Sequence, residues 1–135
     1  MKYSVLAVGR IRPPFADDEA HYRRLLAPHA RVELIEVRDD AALERRIPPR
    51  AHRVLLDADG RQHDSLAFAR WLEARRMAGR DVCFLLGGPS GTRLEACDER
   101  LSLGAMTFPH QLARVVLLEQ LFRAHKILAG EPYHQ

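Results

Sequence analysis

Apolar residues follow two different periods along the chain, and this predicts strands alternating with helices. Residues 2–8 are β-branched and apolar, whereas residues 31–37 alternate apolar with charged side chains, as in a strand with one wetter face. Residues 81–86 are continuously apolar, which is typical of a strand buried on both faces of a parallel sheet. Predicted strands therefore cover residues 2–8, 31–37, 53–56 and 81–86.

Helical segments fall between these strands, and their ends carry capping signals. The first carries acids early and basic residues late, as the helix dipole favours, and it ends at Pro28. Asp64 or Ser65 is the predicted N-cap of the third, and Gly79 follows its end. The predicted helices cover residues 16–27, 40–46, about 64–78 and 110–129, with another beginning near Thr92.

This alternation predicts a single α/β domain over residues 1–135 with a mostly parallel sheet flanked by helices. The length suits one domain with one hydrophobic core. In such sheets a ligand lies beyond the carboxyl ends of the strands. Candidate functional residues are therefore expected just after Leu56 and just after Leu86.

Composition narrows the possible classes of protein only modestly. The net charge is +3, and the 21 basic residues include only two lysines. Arginine suits phosphate recognition, but this excess is compatible with nucleic-acid binding without being diagnostic of it. No apolar run is long enough to span a bilayer, so we expect a cytoplasmic protein. Cys83, Cys97 and the scattered histidines show no metal-ligand spacing, and no metal site is predicted.

Two segments after the fourth strand carry the candidate chemistry. Residues 87–91 read GGPSG, where glycines allow the backbone to turn sharply and to approach a ligand. The pattern is neither a P-loop nor GxGxxG, and an ordinary strand-to-helix turn would have the same composition. Residues 101–110 read LSLGAMTFPH, an unusual lead into a helix. His110 is interpreted as a structural cap of that helix.

The helix over residues 110–129 is apolar around most of its circumference. Such a helix needs burial on nearly all sides. In a chain this short, a second subunit would supply that burial, which favours a homodimer. The alternative is a central core helix within one subunit.

Taken together, GGPSG, LSLGAMTFPHQLARVVLLEQLFRA and GEPYH resemble the RlmH family of SPOUT-class methyltransferases. The similarity is dense over residues 82–134, and the opening KYSVLAVGRIR also resembles the start of the family. This resemblance implies a deep C-terminal trefoil knot, which general folding rules would not suggest. It also implies an S-adenosyl-L-methionine site built from backbone groups of three loops. Carried onto this chain, the cofactor residues are Leu56, Gly87, Leu103, Gly104, Ala105, Met106, Thr107 and Phe108.

The family's reaction is methylation of N3 of pseudouridine 1915 in 23S ribosomal RNA, which we expect to take place on assembled ribosomes. His134 is the first candidate for the base because an unperturbed histidine titrates near neutral pH. Tyr133 could stack on the target base or hydrogen-bond to it, and Arg123 completes the predicted catalytic set. Contacts to RNA are expected from Arg10, Arg12 and Arg114.

Two other functions stay open at this point. The chain could be a non-catalytic RNA-binding or ribosome-associated factor with the same fold, which would not bind S-adenosylmethionine. It could also be a different nucleotide-binding α/β enzyme that uses the glycine turn. No Walker or Rossmann pattern supports the last interpretation.

Overall fold

The computed structural model describes residues 1–88 and 97–133, in which five strands and four helices are found. The predicted helix near Thr92 and the candidate base His134 lie outside these described residues. The elements are β1 (Lys2–Val8), α1 (Phe15–Leu26), β2 (Arg31–Val37), α2 (Asp40–Arg45), β3 (His52–Gln62), α3 (Ser65–Met77), β4 (Val82–Leu86), β5 (Glu99–Ser102) and α4 (His110–Leu128).

The strands form one sheet in the order β2-β1-β4-β3-β5, and each neighbouring pair is parallel. The α/β prediction is thus confirmed. Parallel pairing aligns the carboxyl ends of the strands at one edge, which we call the carboxyl edge. Strand β4 is completely buried, because both of its faces are covered by other parts of the chain.

Alternate residues of the strands divide the core between the two faces of the sheet. On one face, α1, α3 and α4 pack over Tyr3, Val5 and Phe84. On the other face, a smaller cluster joins Leu6 and Leu85 to Leu43 of α2 and neighbouring loops. The burial is asymmetric, so most of the apolar surface removed from water lies beneath the three longer helices.

Local signals place the ends of the helices where the sequence predicts them, within a residue or two. Asp64 is the N-cap of α3, and its carboxylate accepts a hydrogen bond from the N–H of Ala67. Gly79 and Gly130 follow α3 and α4 with φ of +75° and +69°. Glycine is favoured in this left-handed region because it has no Cβ to clash.

Strand β3 is much longer than the predicted segment 53–56. Its polar second half, DADGRQ, reads as a loop but continues the pairing with β5 after an irregularity between Leu56 and Arg61. At Gly60, a Cβ would lie 2.7 Å from the carbonyl carbon of Arg100. This close backbone approach, which only glycine permits, lets the strand bulge at the carboxyl edge.

Helix α4 is buried largely within its own chain. None of its 19 residues is exposed, and Leu117, Leu118 and Leu121 are fully buried. The single subunit therefore supplies much of the burial that its apolar sequence requires. Leu112 and Val116 are only half-buried.

Candidate functional site

A cavity of about 310 Å³ opens at the carboxyl edge, where β4 ends and β3 bulges. This volume is at the lower end of the range typical of small-molecule sites. Its walls come from three stretches that are distant in sequence: the bulge of β3, the end of β4 and the segment between β5 and α4. The parallel register brings them together, because Leu55 pairs with Leu85 of β4 and Leu56 pairs with Leu101 of β5.

The cavity contains nearly all of the residues predicted to hold a cofactor. Ala105 does not line it and is exposed. The predicted residues that do line it are Leu56, Gly87, Leu103, Gly104, Met106, Thr107 and Phe108. The motif-based assignment and the tertiary structure thus converge on one place.

Sequence analysis missed several other residues of the cavity wall. Asp57 and Ala58 lie just after Leu56, where functional residues are expected, but neither is among the predicted cofactor residues; both are in the bulge of β3. His110 was interpreted as a cap, but the N-cap of α4 is Pro109, and no side chain caps it. His110 instead lines the cavity. The remaining missed lining residues are Leu86, Gly88, Leu101 and Ala113.

The chain between β5 and α4 is held in shape by local hydrogen bonds. The hydroxyl of Ser102 donates to the carbonyl of Gly104 at 2.9 Å, and the N–H of Gly104 donates back to Ser102 Oγ at 3.1 Å. Gly104 has φ of +150°, which an L side chain rarely adopts, and its missing Cβ would lie 3.9 Å from the Phe108 ring. This turn therefore fixes the shape of the cavity wall, and Gly104 leaves space there because it has no side chain.

Two observations test whether this cavity fits a nucleoside-sized ligand. Leu56, Leu101 and Phe108 give it apolar surface suited to a flat ring, and glycines in its wall leave space for a ligand because they have no side chain. Nε2 of His110 is buried and forms no hydrogen bond with any described residue. An orphaned polar atom is costly unless it gains a partner. The residues present thus fit a ligand that combines an apolar ring with polar groups.

Asp57 places a negatively charged carboxylate in the wall of the cavity. Its carboxylate accepts hydrogen bonds from the Arg100 guanidinium at 2.6 Å and from the N–H of Asp59 at 2.9 Å. The bond from the Asp59 N–H and then that from Arg100 lower the pKa of Asp57. The group is therefore ionised at neutral pH and stiffens the bulge of β3.

The predicted catalytic residues Tyr133 and Arg123 do not line this cavity. They form a cluster on the middle of α4, where the Tyr133 hydroxyl donates to Glu119 at 2.9 Å and Arg123 Nη2 lies 2.9 Å from the same oxygen. The Arg123 guanidinium also stacks over the Tyr133 ring at 4.8 Å. Burial and the bond to Glu119 raise the pKa of Tyr133 to about 12, so its hydroxyl is a donor and not a base at neutral pH.

Within one subunit, this cluster is well separated from the cavity. Ala113 lines the cavity, and Arg123 follows it by ten residues of helix. At 1.5 Å per residue, the two positions are about 15 Å apart along the axis. Tyr133 therefore packs against α4 of the same chain and does not cover the cavity.

The three arginines predicted to contact RNA have contrasting environments. Arg10 and Arg12 are exposed, and their side chains form no ion pair or hydrogen bond within the described part of the chain. Arg114 is fully buried. Its Nη1 lies 2.6 Å from Glu36 Oε2 and 3.3 Å from Glu19 Oε2, and its Nη2 donates to the Gly9 carbonyl at 3.0 Å.

The prediction of an RNA contact at Arg114 is therefore wrong for this structure. A guanidinium without exposed surface cannot reach a phosphate, and both of its Nη atoms are already directed at two carboxylates and a carbonyl. The position of an arginine along a helix does not reveal whether the fold places acidic side chains from other elements next to it. Arg114 is a structural residue that ties α4 to α1 and β2.

Neither a metal-binding cluster nor a membrane-spanning helix is found within residues 1–88 and 97–133. In these ranges, no group of three or more His, Cys, Asp or Glu side chains is arranged to hold a metal ion. No helix within them has the length and apolarity needed to cross a membrane.

Comparison with known proteins gives a consistent result over the whole chain. A family model described as "Predicted SPOUT methyltransferase" matches residues 1–134. Two similar curated proteins are both named "Ribosomal RNA large subunit methyltransferase H". The one from Rubrobacter xylanophilus is 45% identical and covers 97% of this chain and 96% of its own length. The one from Gluconacetobacter diazotrophicus is 44% identical, with coverage of 97% and 95%.

Proposed function

Because the chain belongs to the RlmH family of SPOUT methyltransferases and is an RNA methyltransferase, we propose that it methylates N3 of pseudouridine 1915 in 23S ribosomal RNA. We further propose that S-adenosyl-L-methionine is the methyl donor and that assembled ribosomes are the substrate. Such a substrate implies action in the cytoplasm. The observation that carries the proposal is the cavity at the carboxyl edge, which gathers the family's cofactor positions around one space.

Different residues of the cavity would contact different parts of this cofactor, according to their chemistry. Leucines and Phe108 would offer apolar walls to the adenine ring, and Gly104 leaves space for the ligand because it has no side chain. His110 Nε2 is available as a further polar partner. When bound, S-adenosylmethionine supplies a sulfonium methyl group that is already activated for transfer.

The protein's main contribution to the reaction is then alignment. Good alignment of two reactants supplies about 7–11 kcal/mol of a barrier. The nitrogen to be methylated must also lose its proton, and a positioned base accelerates such a step by about 10²–10⁴-fold. His134 stays our candidate for the base. Tyr133, with a pKa of about 12, is suited to stacking or to donating a hydrogen bond.

We also propose that the enzyme works as a homodimer in which the tail of one subunit covers the cavity of the other. Two features support this arrangement: Tyr133 and Arg123 are remote from the cavity of their own chain, and α4 keeps half-buried apolar residues such as Leu112 and Val116. A C-terminal trefoil knot, the family's arrangement, belongs to the same proposal.

The proposed cofactor and substrate can be tested with the purified enzyme. Isothermal titration calorimetry should show binding of S-adenosylmethionine, and mass mapping of the RNA should show one added methyl group on ribosomes from a strain lacking the enzyme. Ala113→Phe, which adds a ring to the cavity wall, should abolish both. Ala74→Phe, on the exposed face of α3, is the matched control. No binding of S-adenosylmethionine to the wild-type protein would favour the non-catalytic alternative. Binding with the pseudouridine left unmodified would reject the assigned substrate.

A mixed dimer tests the contribution of the second subunit. One subunit carries Ala113→Phe and the other carries Tyr133→Ala, with different affinity tags for isolation of the heterodimer. If the tail acts across the interface, this heterodimer has one intact site and about half of the wild-type activity, while both homodimeric variants are impaired. An inactive heterodimer would show that each tail serves its own chain.

A further inference from the structure

The segment that carries Arg10 and Arg12 has a main chain fixed at almost every position. Gly9 N donates to the Val37 carbonyl at 2.8 Å, and the Ile11 N–H donates to Glu36 Oε2 at 2.7 Å. The Arg12 carbonyl accepts a hydrogen bond from the first residue of α1, Phe15, at 2.9 Å. The exposed side chains of Arg10 and Arg12 thus project from a rigid base, although the segment contains no regular secondary structure.

Gln111 of α4 joins this segment to the cavity wall. Its side-chain amide makes two hydrogen bonds: Nε2 donates to the Arg10 carbonyl at 3.0 Å, and Oε1 accepts from the Arg12 N–H at 2.9 Å. Gln111 also lies between His110 and Ala113, which both line the cavity. One turn of α4 therefore lines the cavity on one side. On the other side, through Gln111, it clamps residues 9–12, which we call the arginine segment.

The buried Arg114 group supports the same segment from below. Arg114 Nη2 holds the Gly9 carbonyl, and Glu36 Oε2 accepts hydrogen bonds from both Arg114 and the Ile11 N–H. Together, Gln111, Arg114 and Glu36 connect the first turns of α4 to the residues between β1 and α1. A shift of α4 would therefore move the arginine segment with it.

We infer that Gln111 is a positioning residue which, with the Arg114–Glu36 pair, holds Arg10 and Arg12 in register with the cavity so that they grip the RNA backbone during methyl transfer. This inference rests on the proposed function. The chemical reason is that phosphate contacts fix the orientation of a nucleic acid on a protein without reading its bases. A flexible segment would lose part of that contact energy to the entropy of ordering.

Gln111→Met is the appropriate variant because it keeps the length and helix propensity of the side chain and removes only the amide. We expect the KM for ribosomes to rise about tenfold, as for a weakened phosphate contact, while kcat and the Kd for S-adenosylmethionine stay within about twofold. The salt dependence of RNA binding should also become shallower, by about one unit of the logarithmic slope. Gln62→Met, at the exposed end of β3, is the control.

A double-mutant cycle separates positioning from a general structural effect. If Gln111 acts through the two arginines, Gln111→Met should cause no further loss in an Arg10→Ala, Arg12→Ala background. Fully additive effects, an unchanged KM, or a fall in kcat with KM constant would each overturn the inference. If the wild-type enzyme transfers no methyl group, the proposed function fails, and filter binding of ribosomal RNA with its salt slope then tests the inference by the same criteria.

Discussion

A group of polar side chains packs against each end of α4, and the two groups make different kinds of interaction. One is held by ion pairs and the other by a single hydrogen bond. Near its first turn, Arg114 is charged and faces two carboxylates, Glu19 and Glu36. Near its last turn, His125 Nε2 and the Tyr3 hydroxyl share one hydrogen bond of 2.8 Å, and burial lowers the pKa of His125 to about 4. The Arg114 group lies next to the candidate site, whereas the His125–Tyr3 pair lies at the opposite edge of the sheet, where β1 begins.

This difference reflects what each group has to hold. The Arg114 cluster fixes a loop, and loops supply carbonyl and N–H groups that need several strong directional partners. The His125–Tyr3 pair joins a helix to a strand whose backbone bonds are already made by the sheet, so one neutral hydrogen bond is sufficient. Burying a charged cluster costs more desolvation free energy than burying a neutral pair. In this chain the charged cluster lies directly beneath the arginine segment.

Removal of the arginine should have the largest effect of the changes considered. Arg114→Met leaves the carboxylates of Glu19 and Glu36 without their buried partner, and breaking such a group costs about 3–5 kcal/mol of unfolding free energy. The partial exposure of Glu36 favours the lower end. Urea unfolding measures this loss, with Arg70→Met on the exposed face of α3 as the control.

A repair experiment sharpens the same comparison. Adding Glu19→Gln and Glu36→Gln to Arg114→Met removes the unpaired charges and should recover about 1 kcal/mol or more. No recovery would mean that lost packing, and not uncompensated charge, explains the cost.

At the other end of α4, Tyr3→Phe should cost about 1–2 kcal/mol because it leaves His125 without its hydrogen-bond partner in the core. The Tyr3 side chain is fully buried. Tyr22→Phe is the matched control, since the Tyr22 hydroxyl forms no hydrogen bond within the described ranges. Equal unfolding free energies for the two variants would contradict a stabilising role for this bond.

The last expected effect is a pH dependence that the histidine end contributes. Burial, followed by the nearby positive groups of His29 and Arg76, lowers the pKa of His125 from 6.5 to about 4. The fold thus favours neutral His125, and its contribution is complete above pH 6.5 and is lost as the pH falls toward 4.

Thermal unfolding between pH 6.5 and 4 measures this contribution. His125→Gln, which keeps an acceptor for the Tyr3 hydroxyl, should show a shallower fall of Tm with pH than the wild type. Parallel curves would show that His125 does not contribute to the acid sensitivity of the fold.

Local sequence signals were sufficient for most of the secondary structure. The N-cap at Asp64 and the glycines after α3 and α4 depend on contacts within one or two turns, so the pattern of neighbouring residues contains them. Strand β3 is the exception. Its polar half pairs with β5 at a bulge around Gly60, and the partner strand lies almost 40 residues away in the sequence.

By itself, the sequence determined the α/β alternation and the family, and it predicted most of the residues that line the cavity at the carboxyl edge, because periodicity and a long motif are both properties of consecutive residues. Only the tertiary structure decided that Arg114 is buried, that His110 faces the cavity and that Gln111 clamps the arginine segment. The burial of Arg114 and the clamp formed by Gln111 depend on contacts between residues 78 to 105 positions apart. Such contacts exist only once the parallel sheet has brought distant strand ends and α4 together, and no local pattern specifies which side chains then meet.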